Sequence, residues 1–335
     1  MTDRVGEISA FLESGGWGGA ERLPLAGDAS FRRYERLVGG AQPALLMDAP
    51  PPEENVGAYA RVARHLLGMG FSAPEILAED LAHGLLVIED FGDETYTIRL
   101  NAGGDEIALY ETAIDLLIAL HRHPIAASID LGSYDEGAFL KEAALLVDWY
   151  LPATQNTAPG SEANETYLTL WRQLLPLIGE APPTLTLRDY HVDNLMWLAD
   201  RKGVRRCGLL DFQDAVIGPP AYDLVSLLLD ARRDVPEALI ATMTDRYLAG
   251  FLGIEKADFA RACAILSVQR NCKILGIFTR LCVRDAKPIY LAHIPRVWRW
   301  IARDIEHPAL AELKAWFERY IPASARSIPP IRPAA

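Results

Sequence analysis

Hydrophobic positions along the chain change their spacing near residue 90. Before that point the apolar residues form short runs punctuated by turn formers. Runs at 20–26 and 30–37 lie around Gly27-Asp-Ala-Ser30, and Gly39-Gly40 precedes Pro43-Ala-Leu-Leu-Met47. Two more follow at 75–79 and 84–89. Short apolar runs bounded by glycine, proline and small polar residues predict β-strands joined by tight turns. One helix precedes them and another interrupts them. Residues 5–14 suit a short one. After Pro50-Pro51-Pro52, the acidic pair Glu53-Glu54 marks a second start, because carboxylates favour helix N-termini. Val56, Tyr59, Ala60, Ala63, Leu66 and Leu67 then recur on one helical face.

Beyond residue 93 the helical period takes over. Ile107, Tyr110, Ala113, Ile114, Leu117 and Ala119-Leu120 predict one long helix. Further helices are expected at 136–150, 163–178, 221–231, 236–252, 257–282 and 289–303. The proline-rich end, Ile328 to Ala335, is expected to fray.

Composition narrows the class. With 335 residues the chain can form two lobes and a sizeable core. Half its residues are hydrophobic and 23% are charged, as in globular proteins. A formal net charge of -12 argues against nucleic acid as a partner, since phosphate backbones call for a basic face. Cys207, Cys263, Cys272 and Cys282 include no C-x-x-C pair, so reduced thiols in the cytoplasm are expected. The opening Met1-Thr-Asp-Arg-Val-Gly-Glu lacks a signal-peptide pattern, and no apolar run approaches the roughly 18 residues of a membrane span. The expectation is a soluble, cytoplasmic protein without a membrane partner.

The chemistry concentrates in two stretches. Leu185-Thr-Leu-Arg-Asp-Tyr-His-Val-Asp-Asn-Leu-Met196 reads as strand, polar loop, strand, and Gly208-Leu-Leu-Asp-Phe-Gln-Asp-Ala215 as strand and acidic loop. Asp189, Asn194 and Asp211 are the oxygen-bearing side chains expected to project from the loops into one cleft. Phosphoryl transfer from a nucleotide requires a carboxylate that orients and deprotonates a hydroxyl, and oxygen ligands for Mg²⁺ on the phosphates. Asp-x-x-x-x-Asn, followed by Asp-Phe after an apolar run, is the spacing of the catalytic and metal loops in protein-kinase-like enzymes.

On these motifs, from about Leu23 to about Trp298, the chain resembles the aminoglycoside phosphotransferase family of small-molecule kinases. Within it, Arg188 to Met196 and Asp211-Phe-Gln-Asp-Ala-Val-Ile-Gly-Pro-Pro-Ala-Tyr-Asp-Leu-Val-Ser226 resemble the bacterial kinases of cell-wall amino sugars, which act on the anomeric hydroxyl of N-acetylmuramate and N-acetylglucosamine. The resemblance implies an α+β, protein-kinase-like, two-lobed fold. Residues 1–92 would form a small antiparallel-sheet N-lobe with one helix, and residues 93–335 a mostly helical C-lobe. It implies ATP as co-substrate, Mg²⁺ as cofactor and a small-molecule hydroxyl acceptor as partner. Asp189 would be the catalytic base, and Asn194 and Asp211 the metal ligands.

Nucleotide contacts are then expected from Gly27 and Ser30 in the covering loop, and from the backbone of Glu89, Asp90 and Phe91 in a hinge. Asp223 resembles the family's helix aspartate that hydrogen-bonds the catalytic loop. Two positions depart from the pattern. Leu187 stands where the family usually has histidine, and Met47 stands near the expected third-strand lysine. Loss of that cation removes a charge-assisted phosphate contact of roughly 1.5–3 kcal/mol. Arg32 and Arg33 are candidates to replace it; the alternative is two solvated edge-strand charges. For the acceptor the candidates are His191, Asp214, Asp148 and Arg270. His191 equally suits a loop-bracing role, and Asp148 beside Trp149 and Tyr150 is more often part of an ordinary amphipathic helix. Arg188 either steers phosphate or pairs with a structural acid. Three rival readings stay open: a kinase of an aminoglycoside, choline or homoserine; a nucleotide-binding pseudokinase; and a metal-dependent hydrolase.

Overall fold

The computed structural model describes residues 4–25, 32–52, 54–155, 160–179 and 181–331. Its elements run α1 (Arg4–Ser14), β1 (Glu21–Pro24), β2 (Arg33–Val38), β3 (Ala44–Asp48), α2 (Val56–Gly68), β4 (Ile76–Asp80) and β5 (Leu85–Glu89). Next come α3 (Tyr96–Asn101), α4 (Glu106–His121), α5 (Glu136–Leu145), α6 (Leu151–Gln155) and α7 (Ser161–Leu174). Four three-residue strands follow: β6 (Thr184–Thr186), β7 (Leu195–Trp197), β8 (Cys207–Leu209) and β9 (Val216–Gly218). The chain ends with α8 (Ala221–Leu228), α9 (Glu237–Ala249), α10 (Lys256–Asp285), α11 (Ile294–Asp304) and α12 (Ala311–Tyr320). Contacts divide it into two compact units, one of residues 1–130 with 192–215, the other of residues 131–191 with 216–335.

The first unit is built on a five-stranded antiparallel sheet in the order β1-β2-β3-β5-β4. Side chains alternate across a strand, so a sheet can cover two layers. Leu37, Ala44, Leu46, Leu85 and Val87 pack with Ile8, Phe11, Leu12 and Trp17, which seats α1 on one face. The side chain of Asn55 caps α2 by accepting from the amides of Gly57 and Ala58. The expected acidic start therefore shifts by two residues: Glu53 is outside the described residues, and Glu54 precedes the cap. Asparagine takes that place because its oxygen satisfies amides that have no partner within the helix. The β7–β8 hairpin joins the same unit, with Leu209 N donating to Ser72 O and Trp197 N to Glu94 O.

The second unit is helical around α10, whose 30 residues span about 45 Å. Its core joins Tyr150, Tyr167, Trp171, Trp298, Trp316 and Phe317 to the apolar face of α10. At Gly276 of α10 a Cβ would lie 2.3 Å from the carbonyl oxygen of Leu145, so glycine permits the close approach to α5. β6 and β9 pair antiparallel and anchor the loop that begins at Leu187. The expected single helix over 136–150 is α5 followed by one π-helical turn at Leu146–Tyr150 and then α6. Likewise 289–303 opens as a 3₁₀ segment, Pro288–His293, before α11. No described helix is long and apolar enough to cross a membrane.

Candidate active site

In the sheet-bearing unit lies a cavity of about 460 Å³. Arg32, Tyr34 and Arg36 line it from β2 and the residue before it, every second side chain turning inward as strand geometry requires. Leu45, Ile88, Met196 and Leu210 supply apolar walls, and Glu89 to Asp93 form one rim. Arg33 is exposed and contributes nothing to this lining. Met47 is fully buried.

Side chains along the rim are engaged in structural pairs. Glu89 pairs with Arg201, whose guanidinium lies 4.9 Å from the centre of the Phe91 ring. Burial pushes the Glu89 carboxyl up, against the pull of Arg201. Asp90 accepts from Arg36 Nε at 2.5 Å and from the amide of Gly92 at 2.8 Å, fixing the turn in which Gly92 adopts φ 80°. Gly27 and Ser30 lie outside the described residues.

The β7–β8 hairpin sets Asn194 and Asp211 at one end of this cavity. Leu195 faces Leu209 across the ladder, and Leu210 N donates to Asn194 O at 3.0 Å, so the residues flanking the hairpin stay close. Asp211 has φ 56°, a left-handed conformation that a non-glycine residue adopts at some cost. Its Oδ1 accepts from Arg32 Nη2 at 2.9 Å and from Gln213 Nε2 at 3.0 Å, while Asn194 Nδ2 stands 3.5 Å from Oδ2. A half-turn of the Asn194 amide, indistinguishable in shape, presents its oxygen on the same side. One carboxylate and one amide oxygen suit Mg²⁺, which takes few protein ligands and keeps phosphate oxygens and water. Among the described residues no cluster of three or more His, Cys, Asp or Glu is placed to hold a metal. Asp214 is exposed and accepts from Gln213 Nε2 at 3.2 Å.

The helical unit holds the other motif residues. Arg188 has φ 69°, also left-handed, and α8 secures that bend. The buried Asp223 carboxylate accepts from Leu187 N at 2.7 Å and Arg188 N at 2.8 Å, while Ser226 Oγ donates to Arg188 O at 3.1 Å. Arg270 Nη2 in turn donates to Ser226 Oγ at 2.7 Å. Leu187 is buried.

Asp189 follows on this clamped turn. Burial pushes its carboxyl up, but Lys273, His191, Arg270 and Arg188 outweigh that and hold it below the usual carboxylate range. His191 is itself buried, and burial together with Arg232, whose Nη1 lies 3.2 Å from His191 Nε2, keeps its imidazole neutral. At neutral pH the cations that act on Asp189 are therefore Lys273, Arg270 and Arg188. Two of them share a counter-ion: Glu142 pairs with Arg188 and, at 3.0 Å, with Lys273 Nζ. Arg270 is buried, whereas Asp148 is exposed on the π-helical turn.

Lys273, Glu142, Ser226 and Arg232 were not among the residues singled out by motif. A signal for Lys273 was present. Ser267, Gln269, Arg270, Asn271 and Lys273 are polar yet buried in the middle of α10, where the period alone predicts core. Buried polar runs need partners, so such a run marks a site.

Comparison with known proteins fits this geometry. The fold is protein-kinase-like, with an antiparallel-sheet N-lobe and a helical C-lobe. It matches a choline/ethanolamine kinase family protein from Mesorhizobium loti at TM-score 0.60, with 17% identity over 94% of this chain and 99% of that one. It matches the ADP-bound aminoglycoside phosphotransferase APH(2'')-Ib at TM-score 0.60, with 14% identity over 90% and 98%. The model of the phosphotransferase enzyme family matches residues 21–263, and the chain belongs to that family. It is 38% identical to the N-acetylmuramate/N-acetylglucosamine kinase of Caulobacter vibrioides over 97% of this chain and 99% of the relative. It is 39% identical to the protein of the same name from Pseudomonas aeruginosa over 89% of each.

Proposed function

We propose that this chain is an ATP- and Mg²⁺-dependent kinase that phosphorylates the anomeric hydroxyl of N-acetylmuramate and N-acetylglucosamine in the cytoplasm. The observation that carries the substrate is the near full-length similarity, at 38% identity, to a kinase named for those two sugars.

In this reading the apolar walls at Leu45, Ile88, Met196 and Leu210 take the adenine, whose edge meets backbone groups of Glu89 to Phe91. Arg32 takes phosphate oxygens. Asn194 and Asp211 would hold Mg²⁺, which neutralises charge on the transferring phosphoryl group when bound. The sugar hydroxyl oxygen forms a bond to the γ-phosphorus while the bond to the β,γ-bridging oxygen breaks, and ADP departs with that electron pair. Asp189, kept ionised by Lys273, Arg270 and Arg188, accepts the hydroxyl proton. General-base help of this kind contributes about 10²–10⁴-fold. Positioning and electrostatics supply the remainder, because the transition state is loose.

The test is ADP formation by purified protein with N-acetylmuramate, N-acetylglucosamine, kanamycin and choline compared side by side. Higher kcat/KM on the two amino sugars is expected. Preference for kanamycin or choline would overturn the substrate assignment.

A further inference from the structure

Glu142 lies within α5, outside every motif, yet its side chain is only 13% accessible. A carboxylate so placed needs partners for both oxygens. Its Oε1 takes two cations, Arg188 Nη2 from the catalytic loop and, at 3.0 Å, Lys273 Nζ from α10. Its Oε2 accepts from the Tyr134 hydroxyl. Burial pushes the Tyr134 phenol well above its ordinary range, so it remains a donor. The Tyr134 ring stacks on Phe139 with centroids 3.9 Å apart and meets Tyr222 edge-on at 5.0 Å, which fixes where the hydroxyl points. Lys273 Nζ also donates to Tyr222 OH at 3.4 Å. The same two cations act on Asp189, together with Arg270 and His191, and Asp223 of α8 holds the loop amides beside them.

We propose that Glu142 is a positioning residue for phosphoryl transfer, a shared counter-ion that holds Arg188 and Lys273 beside Asp189 and sets how much of their charge the base feels. Buried cations facing a single carboxylate would draw on it alone, and a base held too firmly in its ionised form accepts a proton poorly. A second carboxylate divides that charge, so Asp189 stays ionised and keeps its proton affinity. Glu142 acts only through the two cations. Glu142 and Lys273 are therefore a matched pair. Loss of either shifts the field at Asp189 in opposite directions, and loss of both returns it toward the native one. This inference rests on the reading of Asp189 as the base.

Steady-state kinetics on the full chain with ATP, Mg²⁺ and N-acetylglucosamine across pH tests it, beside calorimetry with a non-hydrolysable ATP analogue. Glu142→Gln, which keeps the shape and removes the charge, should lower kcat about 10- to 100-fold. Its affinity for the Mg²⁺-bound analogue should stay within about twofold of wild type. The double variant Glu142→Gln/Lys273→Met should recover kcat at least about 5-fold over Glu142→Gln alone. Its acid limb of kcat/KM should return toward the wild-type position from the upward shift of Lys273→Met. Recovery on adding a second substitution is the signature, since independent structural damage multiplies instead.

A Glu142→Gln kcat within about threefold of wild type overturns the inference. So does a double variant whose loss is the product of the two single losses, or whose acid limb stays with that of Lys273→Met. Tyr134→Phe loosens Glu142 without changing any charge and serves where Glu142→Gln melts far below wild type. It should lower kcat about 3- to 10-fold, and an unchanged kcat there also overturns the inference. Asp189→Asn measured alongside separates the two levels. An inactive Asp189→Asn leaves the kinase reading standing whatever Glu142 does, and an active one removes the base and this inference with it.

Discussion

The sheet-bearing unit and the helical unit hold their key carboxylates in opposite ways. Asp211 is partly exposed, with a side chain 34% accessible, and accepts from Arg32, which reaches in from a strand end, and from Gln213. Asp189 stands on a turn fixed by two backbone hydrogen bonds to Asp223, within a field of three lasting cations. Both motifs bend through a left-handed non-glycine residue, Asp211 in one and Arg188 in the other. One carboxylate is partly open to its surroundings and the other is held in its ionised state. That difference suits a metal ligand, which must exchange, and a base, which must stay ionised and aimed.

Substitutions can break this contrast. Asp189→Asn should have the largest effect, lowering kcat by about 10³-fold or more while leaving the affinity for Mg²⁺–nucleotide within about twofold. Steady-state assay beside calorimetry checks both numbers, and an active variant would remove the base assignment. Asp211→Ala should act on the other quantity, weakening the Mg²⁺–nucleotide complex by about 100-fold. Unchanged affinity would return Asp211 to a structural role.

The clamp beneath the base predicts a smaller but measurable loss of stability. Asp223→Ala leaves the amides of Leu187 and Arg188 without their acceptor at a strained bend, at a cost of about 2–5 kcal/mol. Denaturant unfolding measures it, and kcat should fall with it because Asp189 loses its aim. An intact kcat would show that the turn does not need α8.

The smallest effect concerns pH. The Asp189 carboxyl is held below its ordinary range, so activity that depends on its ionised form should persist through the usual carboxylate range and fall only in stronger acid. Lys273 is the foremost of the cations that lower it, and burial alone would raise it. Lys273→Met should therefore move the acid limb of kcat/KM upward, toward neutral pH, and Lys273→Arg should restore it. An acid limb that stays in place in Lys273→Met would contradict this role.

How much of this could be read from the sequence follows from the range of each interaction. The motif at 185–196 was legible because its residues are neighbours, with the spacing written directly in the chain. The strands of the sheet and the long helices were legible from period and turn formers. The three-residue strand β9 was not, since Val216-Ile-Gly218 is too short to show a period and gains its shape by pairing with β6. Short α3 shows no period of its own, while in α12 Leu313, Trp316 and Phe317 carry helical spacing and are buried. The pairs that tune the site join residues far apart in sequence. Arg32 meets Asp211 across 179 positions, and no local pattern announces it. The choice between Arg32 and Arg33 likewise needed the strand's facing, since adjacent residues point to opposite sides. The three chain crossings between units, after residues 130, 191 and 215, carry no composition shift either.

The most direct test of the account follows the phosphate itself. Phosphorus NMR of ATP, Mg²⁺, purified protein and N-acetylglucosamine or N-acetylmuramate should show the γ-phosphate signal replaced by a sugar phosphomonoester coupled to the anomeric proton, with little orthophosphate. Orthophosphate alone would mark a hydrolase, and an unchanged ATP spectrum with bound nucleotide would mark a pseudokinase; either result contradicts the kinase.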